Sequence, residues 1–317
     1  MLEKRGRHSW HFAVEPGEAG QRLDTIVSNR TGLSRRKARE VLKLGGVQVN
    51  GKRVHVAGRP QHPDADIRVT VDDSLGEEPN FVPVPLYEDE WLLALNKPPG
   101  LPAQGTLASD KHDFMAVAKK HYPNCELFLT HRLDTGTSGV MLLAKGSRLA
   151  GEVGKLFASH QVKKTYLAAV LGQLEPCRLD QPIGRIPGSS PARYGCTGNL
   201  VGPKDAVTAF SKAGPEAIAV GLSLGFEFGI EAAPEGANWV LAEPITGRTH
   251  QIRAHLAHLG CPVIGDVLYG GPPSSRMWLH AWKLELPHPV TKEIISIQAN
   301  INTGNEAKMI GTGKEQL

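Results

Sequence analysis

The sequence predicts an α+β protein: a mixed, mainly antiparallel sheet domain, preceded by a small α+β domain at the N-terminus. Three observations carry that expectation. Apolar runs of strand length and helical stripes follow one another without a regular strand–helix–strand rhythm, which argues against a doubly wound parallel sheet. The 35 Gly and 23 Pro among 317 residues supply many turns and short strands rather than the long helices of a bundle. A hydrophobic fraction of 40% with a charged fraction of 21% is that of a globular chain with a substantial core.

The first region is residues 11–73. Within residues 21–29, Leu23, Ile26 and Val27 recur at helical spacing. Ser34 is placed to cap a second helix over residues 35–42, where Ala38, Val41 and Leu42 share one stripe. Gly45-Gly46 ends that helix. Val47-Gln48-Val49, Asn50-Gly51 and Lys52-Arg53-Val54 then read as strand, tight turn and strand. Residues 74–85, polar and containing Glu77-Glu78-Pro79, read as a linker. The larger domain is expected over residues 86–302. Its strand candidates are residues 91–96, ended sharply by Lys97-Pro98-Pro99-Gly100, and residues 140–144, 165–170 and 239–242. Residues 151–160 and 249–259 read as helices. Residues 303–317 form a polar tail expected to be disordered.

Composition bounds the function classes. No stretch approaches the roughly 20 apolar residues of a membrane span, and residues 1–12 lack the apolar core of a secretory signal. Cys125, Cys177, Cys196 and Cys261 show no C-x-x-C pairing, so neither a disulfide framework nor a zinc knuckle is expected, and a reducing cytoplasm is the expected setting. The net charge of +4 is unevenly spread. Arg30, Arg35, Arg36, Lys37, Arg39, Lys43, Lys52, Arg53 and Arg59 face only Glu40 between residues 30 and 59. Such a cluster suits a polyanion such as nucleic acid; the alternative is a solvated basic helix face.

The segment richest in chemistry is His131-Arg132-Leu133-Asp134-Thr135-Gly136-Thr137-Ser138-Gly139, which runs into an apolar strand. One carboxylate sits beside one guanidinium in a loop whose glycines permit close backbone approach, so the acid can be held in a fixed, partly dry position. An Asp-initiated turn and a phosphate-cradling loop are the alternatives on these residues alone. Lys163-Lys164-Thr165-Tyr166 places a tyrosine in a strand, where a plain core role is the alternative. Thr246-Gly247-Arg248-Thr249-His250-Gln251-Ile252-Arg253-Ala254-His255 opens a helix. Arginine cannot lose its charge, so Arg248 or Arg253 needs a carboxylate partner if buried. His250, His255 and His258 lack an accompanying acid or cysteine at ligand spacing, and no metal site is expected.

Two resemblances arise from these motifs. Arg22-Leu23-Asp24, Ser34-Arg35-Arg36 and Gly46-Val47-Gln48-Val49-Asn50-Gly51-Lys52 together resemble the small RNA-binding domain first seen in ribosomal protein S4, over about residues 20–71. From about residue 85 to 299 the chain resembles the RluA-type pseudouridine synthases. That likeness rests on Asn96-Lys97-Pro98, the motif at 131–139, Lys164-x-Tyr166, Lys204-Asp205-Ala206-Val207-Thr208 and the motif at 247–255. Pro262-Val263-Ile264-Gly265-Asp266 and Leu279-His280-Ala281 complete it. Residues 211–238 match little of the family pattern.

The resemblance implies isomerisation of uridine to pseudouridine in structured RNA. Large-subunit ribosomal RNA is the expected substrate; transfer RNA, or an inactive RNA-binding or ribosome-assembly relative, is the alternative. It implies Asp134 as the catalytic aspartate, Arg253 as its paired arginine, Tyr166 against the target base and Arg132 in the place of the flipped uridine. Arg35, Arg36 and Lys37 are the expected phosphate contacts of the N-terminal domain. The reaction breaks a sugar–nitrogen bond and remakes it through carbon without net redox change, so no cofactor is expected. A monomer is the expected state.

Overall fold

The structure is a computed structural model, and it describes residues 6–75, 77–227 and 237–299. The polar tail expected over 303–317 lies outside the described residues. The chain divides into two compact units, Met1–Pro83 with Leu101–Cys125, and Val84–Gly100 with Glu126–Leu317.

The N-terminal unit carries strand β1 (Arg7–Ala13), helices α1 (Leu23–Thr31) and α2 (Arg35–Leu44), and strands β2 (Val47–Val49), β3 (Lys52–Arg53) and β4 (Asp66–Asp72). Its four strands form one sheet in the order β1-β4-β2-β3. The predicted cap is present: the Ser34 side chain accepts from the Lys37 N–H at 3.2 Å, and Gly45 closes α2 at φ 89°. Asn50 and Gly51, at φ 50° and 74°, make the hairpin turn that strand twist favours. Leu23, Ile26, Val27, Ala38 and Leu42 turn inward onto Ile67 and Val69. Strand β1 escapes the sequence reading because polar residues interrupt it, whereas β4 carries a legible alternation of Ile67, Val69 and Val71 with polar residues that the sequence reading omits. Helix α3 (Phe114–His121) belongs to this unit, begun by Asp113, whose side chain accepts from the Ala116 N–H at 3.0 Å.

The second unit is built on a ten-stranded sheet. Its elements in chain order are β5 (Pro85–Glu88), β6 (Leu92–Lys97), β7 (Leu127–Leu129), β8 (Ser138–Lys145), α4 (Ser147–Ala158), β9 (Lys163–Val170), β10 (Cys177–Asp180), β11 (Ile183–Arg185), β12 (Tyr194–Gly195), β13 (Val201–Lys204), β14 (Val207–Lys212), α5 (Pro215–Glu227), β15 (Asn238–Pro244), α6 (Gln251–His258), β16 (Leu279–Pro287) and β17 (Ile294–Gln298). The path runs β10-β14-β15-β9-β16-β8-β6-β5, with β17 paired to β16 and β7 to β8. Strands β11, β12 and β13 form a separate three-stranded sheet. Pairing of β8 with β16 is parallel, and the other ladders of the large sheet are antiparallel. The α+β class and the mainly antiparallel sheet are as the sequence predicts. Of residues 211–238, the described part ends β14 and forms α5 and the start of β15.

The β8–β16 junction fixes the position of the 131–139 loop. Gly139 sits at φ 111° opposite Ala281, where an added Cβ would collide with the Ala281 backbone. Only glycine lets the loop before β8 enter the sheet so close to β16. No helix among the described residues is long and apolar enough to cross a membrane.

Candidate active site

The loop between β7 and β8 is held from both sides. The Thr130 hydroxyl donates to the Leu142 carbonyl at 2.7 Å, and the Leu142 N–H donates to His131 Nε2 at 2.9 Å. His131 stacks on Phe157 with ring centroids 5.0 Å apart. Burial, and secondarily the positive Lys164, pushes its pKa down to about 4, so it acts as a neutral acceptor that clamps the loop. The Thr137 N–H donates to the Asp134 carbonyl at 3.0 Å, closing a turn. An Asp-initiated turn is therefore present, yet the Asp134 carboxylate is directed elsewhere.

It meets Arg253. Arg253 Nη1 donates to Asp134 Oδ2 at 3.1 Å, while Nε and Nη2 grip Asp266 at 2.7 and 2.9 Å. The Arg253 guanidinium also lies over the Tyr269 ring, 4.9 Å from its centroid. Burial by itself would lower the arginine pKa. The hydrogen bonds and charge of Asp266, followed by the charge of Asp134, outweigh burial and hold it above its ordinary value. Thus a permanent cation joins two carboxylates, one sealed at 2% exposure and one at 29% exposure facing solvent. Asp266 anchors the arginine, and Asp134 is the more exposed of the two carboxylates.

The helix that carries Arg253 is fixed by Gln251. Its Oε1 accepts from the Arg248 N–H at 2.9 Å and from Thr246 Oγ1 at 2.7 Å. Its Nε2 donates to the Val207 carbonyl at 2.9 Å and to Thr208 Oγ1 at 3.0 Å. His255 adds a bond from the Thr208 hydroxyl to Nδ1 at 2.9 Å and one from Nε2 to the Gln181 carbonyl at 3.1 Å. The Asp205-Ala206-Val207-Thr208 motif is thereby the seat of α6. His255 serves this packing, and no group of three or more His, Cys, Asp or Glu among the described residues is arranged to hold a metal.

Lys97 closes the site from below. Its side chain is fully buried, and Nζ donates to the Pro98 carbonyl at 2.8 Å and the Thr135 carbonyl at 3.3 Å. Burial lowers its pKa to about 7, against the pull of Asp134 and with the help of Arg276. The end of β6 therefore ties down the backbone next to Asp134. Tyr166, in β9 between Ala242 of β15 and Ala281 of β16, is partly exposed. Its phenol is held above the ordinary tyrosine value by burial and then by the negative charge of Asp134.

Arg253 thus joins Asp134 to Asp266, and Tyr166 is near enough to feel the Asp134 charge. Arg132 is exposed in the same loop. Arg35, Arg36 and Lys37 lie on α2 of the N-terminal unit, where Lys37 pairs with Glu40 at 3.3 Å. Arg35 approaches the fully buried Asp24 at 3.8 Å, which Arg22 and Arg39 also bind at 3.0 and 2.6 Å. Those hydrogen bonds, from Arg22 first and Arg39 next, outweigh burial and bring the Asp24 pKa down to about 2. Sequence reasoning missed Asp266, His250 and Tyr269 as parts of the site. The signal for Asp266 was present, since a buried arginine demands a carboxylate and Asp266 ends a recognised motif.

Comparison with known proteins defines the class. The family model described as RNA pseudouridylate synthase matches residues 91–258, and the S4 domain model matches residues 21–65. An uncharacterised RNA pseudouridine synthase of Mycoplasma pneumoniae is 30% identical over 89% of this chain and 89% of its own length. The ribosomal large subunit pseudouridine synthase C of Pasteurella multocida is 28% identical over 96% of this chain and 94% of its own. The tRNA pseudouridine synthase C of Vibrio cholerae is 30% identical over 68% of this chain and 90% of its own. Among solved structures, human RNA pseudouridylate synthase domain containing 1 superposes with a TM-score of 0.55 at 25% identity, covering 71% of this chain and 86% of that one. The chain belongs to the RNA pseudouridylate synthase family, with an S4 domain at its N-terminus. It is an RNA pseudouridine synthase.

Proposed function

We propose that the protein isomerises uridine in large-subunit ribosomal RNA, with Asp134 as the catalytic carboxylate. The observation that carries the site is the 3.1 Å bond from Arg253 to the partly exposed Asp134, with Arg253 itself anchored on buried Asp266. Breaking the sugar–nitrogen bond requires a carboxylate at the ribose, as nucleophile on the anomeric carbon or as base on the adjacent proton. The uridine must first leave the stack. Partly exposed Tyr166 holds the detached uracil against its ring while the base turns, and exposed Arg132 fills the gap left in the RNA. The isomerisation balances within the substrate, so the residues named need no redox partner.

The choice of ribosomal RNA rests on length. The relative named for the large ribosomal subunit aligns over 96% of this chain, N-terminal unit included. The transfer-RNA relative aligns over only 68% although nearly its whole length is used. The S4 domain, matched at residues 21–65, gives this chain an RNA-docking surface. Mapping pseudouridines in ribosomal and transfer RNA from cells with and without the protein tests this: a site lost from large-subunit RNA is expected, and a loss confined to transfer RNA would reverse the assignment. The four unpaired cysteines suit a reducing compartment such as the cytoplasm.

Within the S4 domain, Arg35, Arg36 and Lys37 are the proposed phosphate contacts. Reversing the charge of Arg36 and Lys37 together is expected to weaken RNA binding and reduce the slope of log affinity against log salt by about 1–2. Filter binding across a salt series measures it, and an unchanged slope would remove α2 from the interface. Arg35 is left intact in this variant because it also faces Asp24.

A further inference from the structure

His250 stands beside the carboxylate in an unusual way. Its backbone is in the left-handed region at φ 56°, a conformation unfavourable for a non-glycine residue. The ring is hydrogen-bonded at one nitrogen and approaches the carboxylate with the other. Nδ1 is 2.9 Å from the Tyr269 hydroxyl, and Nε2 is 3.9 Å from Asp134 Oδ2. The Tyr269 oxygen in turn accepts the backbone N–H of Tyr194 at 3.0 Å.

One tautomer of the ring brings a hydrogen toward the carboxylate. The Tyr194 N–H can only donate, so the Tyr269 oxygen is an acceptor there and its own proton is free to go to His250 Nδ1. A neutral imidazole that accepts at Nδ1 carries its hydrogen at Nε2. That hydrogen faces Asp134 Oδ2, the oxygen that Arg253 Nη1 already binds. The groups surrounding the imidazole are Asp134, Arg253, Asp266, Tyr269 and Tyr194. Burial, together with the Arg253 cation, keeps the ring in its neutral form against the pull of the two carboxylates. Arg253 Nη1 is bonded to Oδ2 at 3.1 Å, and His250 Nε2 lies 3.9 Å from the same oxygen, longer than a hydrogen bond.

We propose that His250 is a positioning residue, its Nε2–H aimed at Asp134 Oδ2 by the Tyr269 hydroxyl. This role rests on Asp134 being the catalytic carboxylate. It goes further in assigning a second polar neighbour and a hydroxyl relay to that carboxylate, through residues on separate elements, the N-terminus of α6 and the turn at Val267–Tyr269.

Three variants separate this from a merely structural role. His250→Asn tolerates the left-handed backbone and keeps an acceptor near the Nδ1 position, but falls short of Asp134. His250→Gln reaches the Nε2 position with a donor. Tyr269→Phe keeps the ring against Arg253 and deletes only the hydroxyl. Turnover is read as release of tritium from uracil carbon 5 in unmodified ribosomal and transfer RNA transcripts, using the transcript that the wild-type protein modifies, and RNA affinity is measured in parallel. His250→Asn is expected to lower kcat about 10- to 100-fold with KM and Kd within about twofold, as for a misplaced reacting group. His250→Gln is expected to recover most of that loss, and Tyr269→Phe to lower kcat about 3- to 10-fold by releasing the imidazole from its single orientation. Wild-type kcat in His250→Asn, a loss seated in KM, or a Gln variant as slow as the Asn variant would overturn the assignment. Should His250→Asn misfold, the Gln and Tyr269→Phe variants still decide. Asp134→Asn run alongside separates the two proposals, since turnover retained there defeats the carboxylate itself, whereas an inert Asp134→Asn with unaffected His250 variants defeats only the relay.

Discussion

Asp134→Asn is expected to bind RNA as the wild type does and to form no pseudouridine. The substitution is nearly isosteric, and an amide oxygen can still accept the Arg253 Nη1 bond that now measures 3.1 Å. What disappears is the negative charge, and with it both candidate roles, nucleophile and base. Loss of a positioned carboxylate from either role costs roughly 10²–10⁴-fold or more in rate. Because Arg253 retains its two bonds to Asp266, the fold should change little in stability. Tritium release from uracil carbon 5 measures the turnover and filter binding the affinity. A rate within tenfold of wild type would remove Asp134 from the chemistry.

Arg253→Met has the second large expected effect, and it falls on stability as well as activity. Asp266 has a side chain only 2% exposed and takes both of its guanidinium bonds from Arg253. Removing the cation leaves a buried carboxylate without its partner, which typically destabilises by about 3–5 kcal/mol. The Asp134 carboxylate loses its anchor at the same time, so turnover should vanish. Arg253→Met combined with Asp266→Leu should recover most of the lost stability, because an apolar pair replaces a buried ion pair at little cost. Turnover should stay absent in the double variant. Denaturant titration reads the first quantity, and a single variant as stable as wild type would show that Asp266 finds another partner.

Much of the fold was legible because local rules agreed with the final structure. Ser34, Gly45 and Asn50-Gly51 each carry a specific backbone requirement, and α2 and the hairpin form where those residues place them. The buried runs that become β6, β8 and β9 are apolar enough to read as strands without knowing their neighbours. Strands such as β1, with polar residues at most positions, become strands only because β4 pairs with them. Helix α3 illustrates the same limit: residues Leu101–Cys125 lie between two strands of the large sheet in sequence, yet they cluster with the N-terminal unit.

The site divides along similar lines. Sequence by itself determined the family, the loop that carries Asp134, the helix that carries Arg253 and the strand that carries Tyr166, because each lies in a short motif of contiguous residues. Tertiary structure alone decided that Arg253 spends two of its donors on Asp266 and one on Asp134, and that Lys97 lies fully buried beneath the loop. It alone brought Tyr269 and Tyr194 to His250. The physical reason is that a hydrogen bond is a matter of a few tenths of an ångström between groups far apart in the chain, and spacing along a sequence holds no record of it.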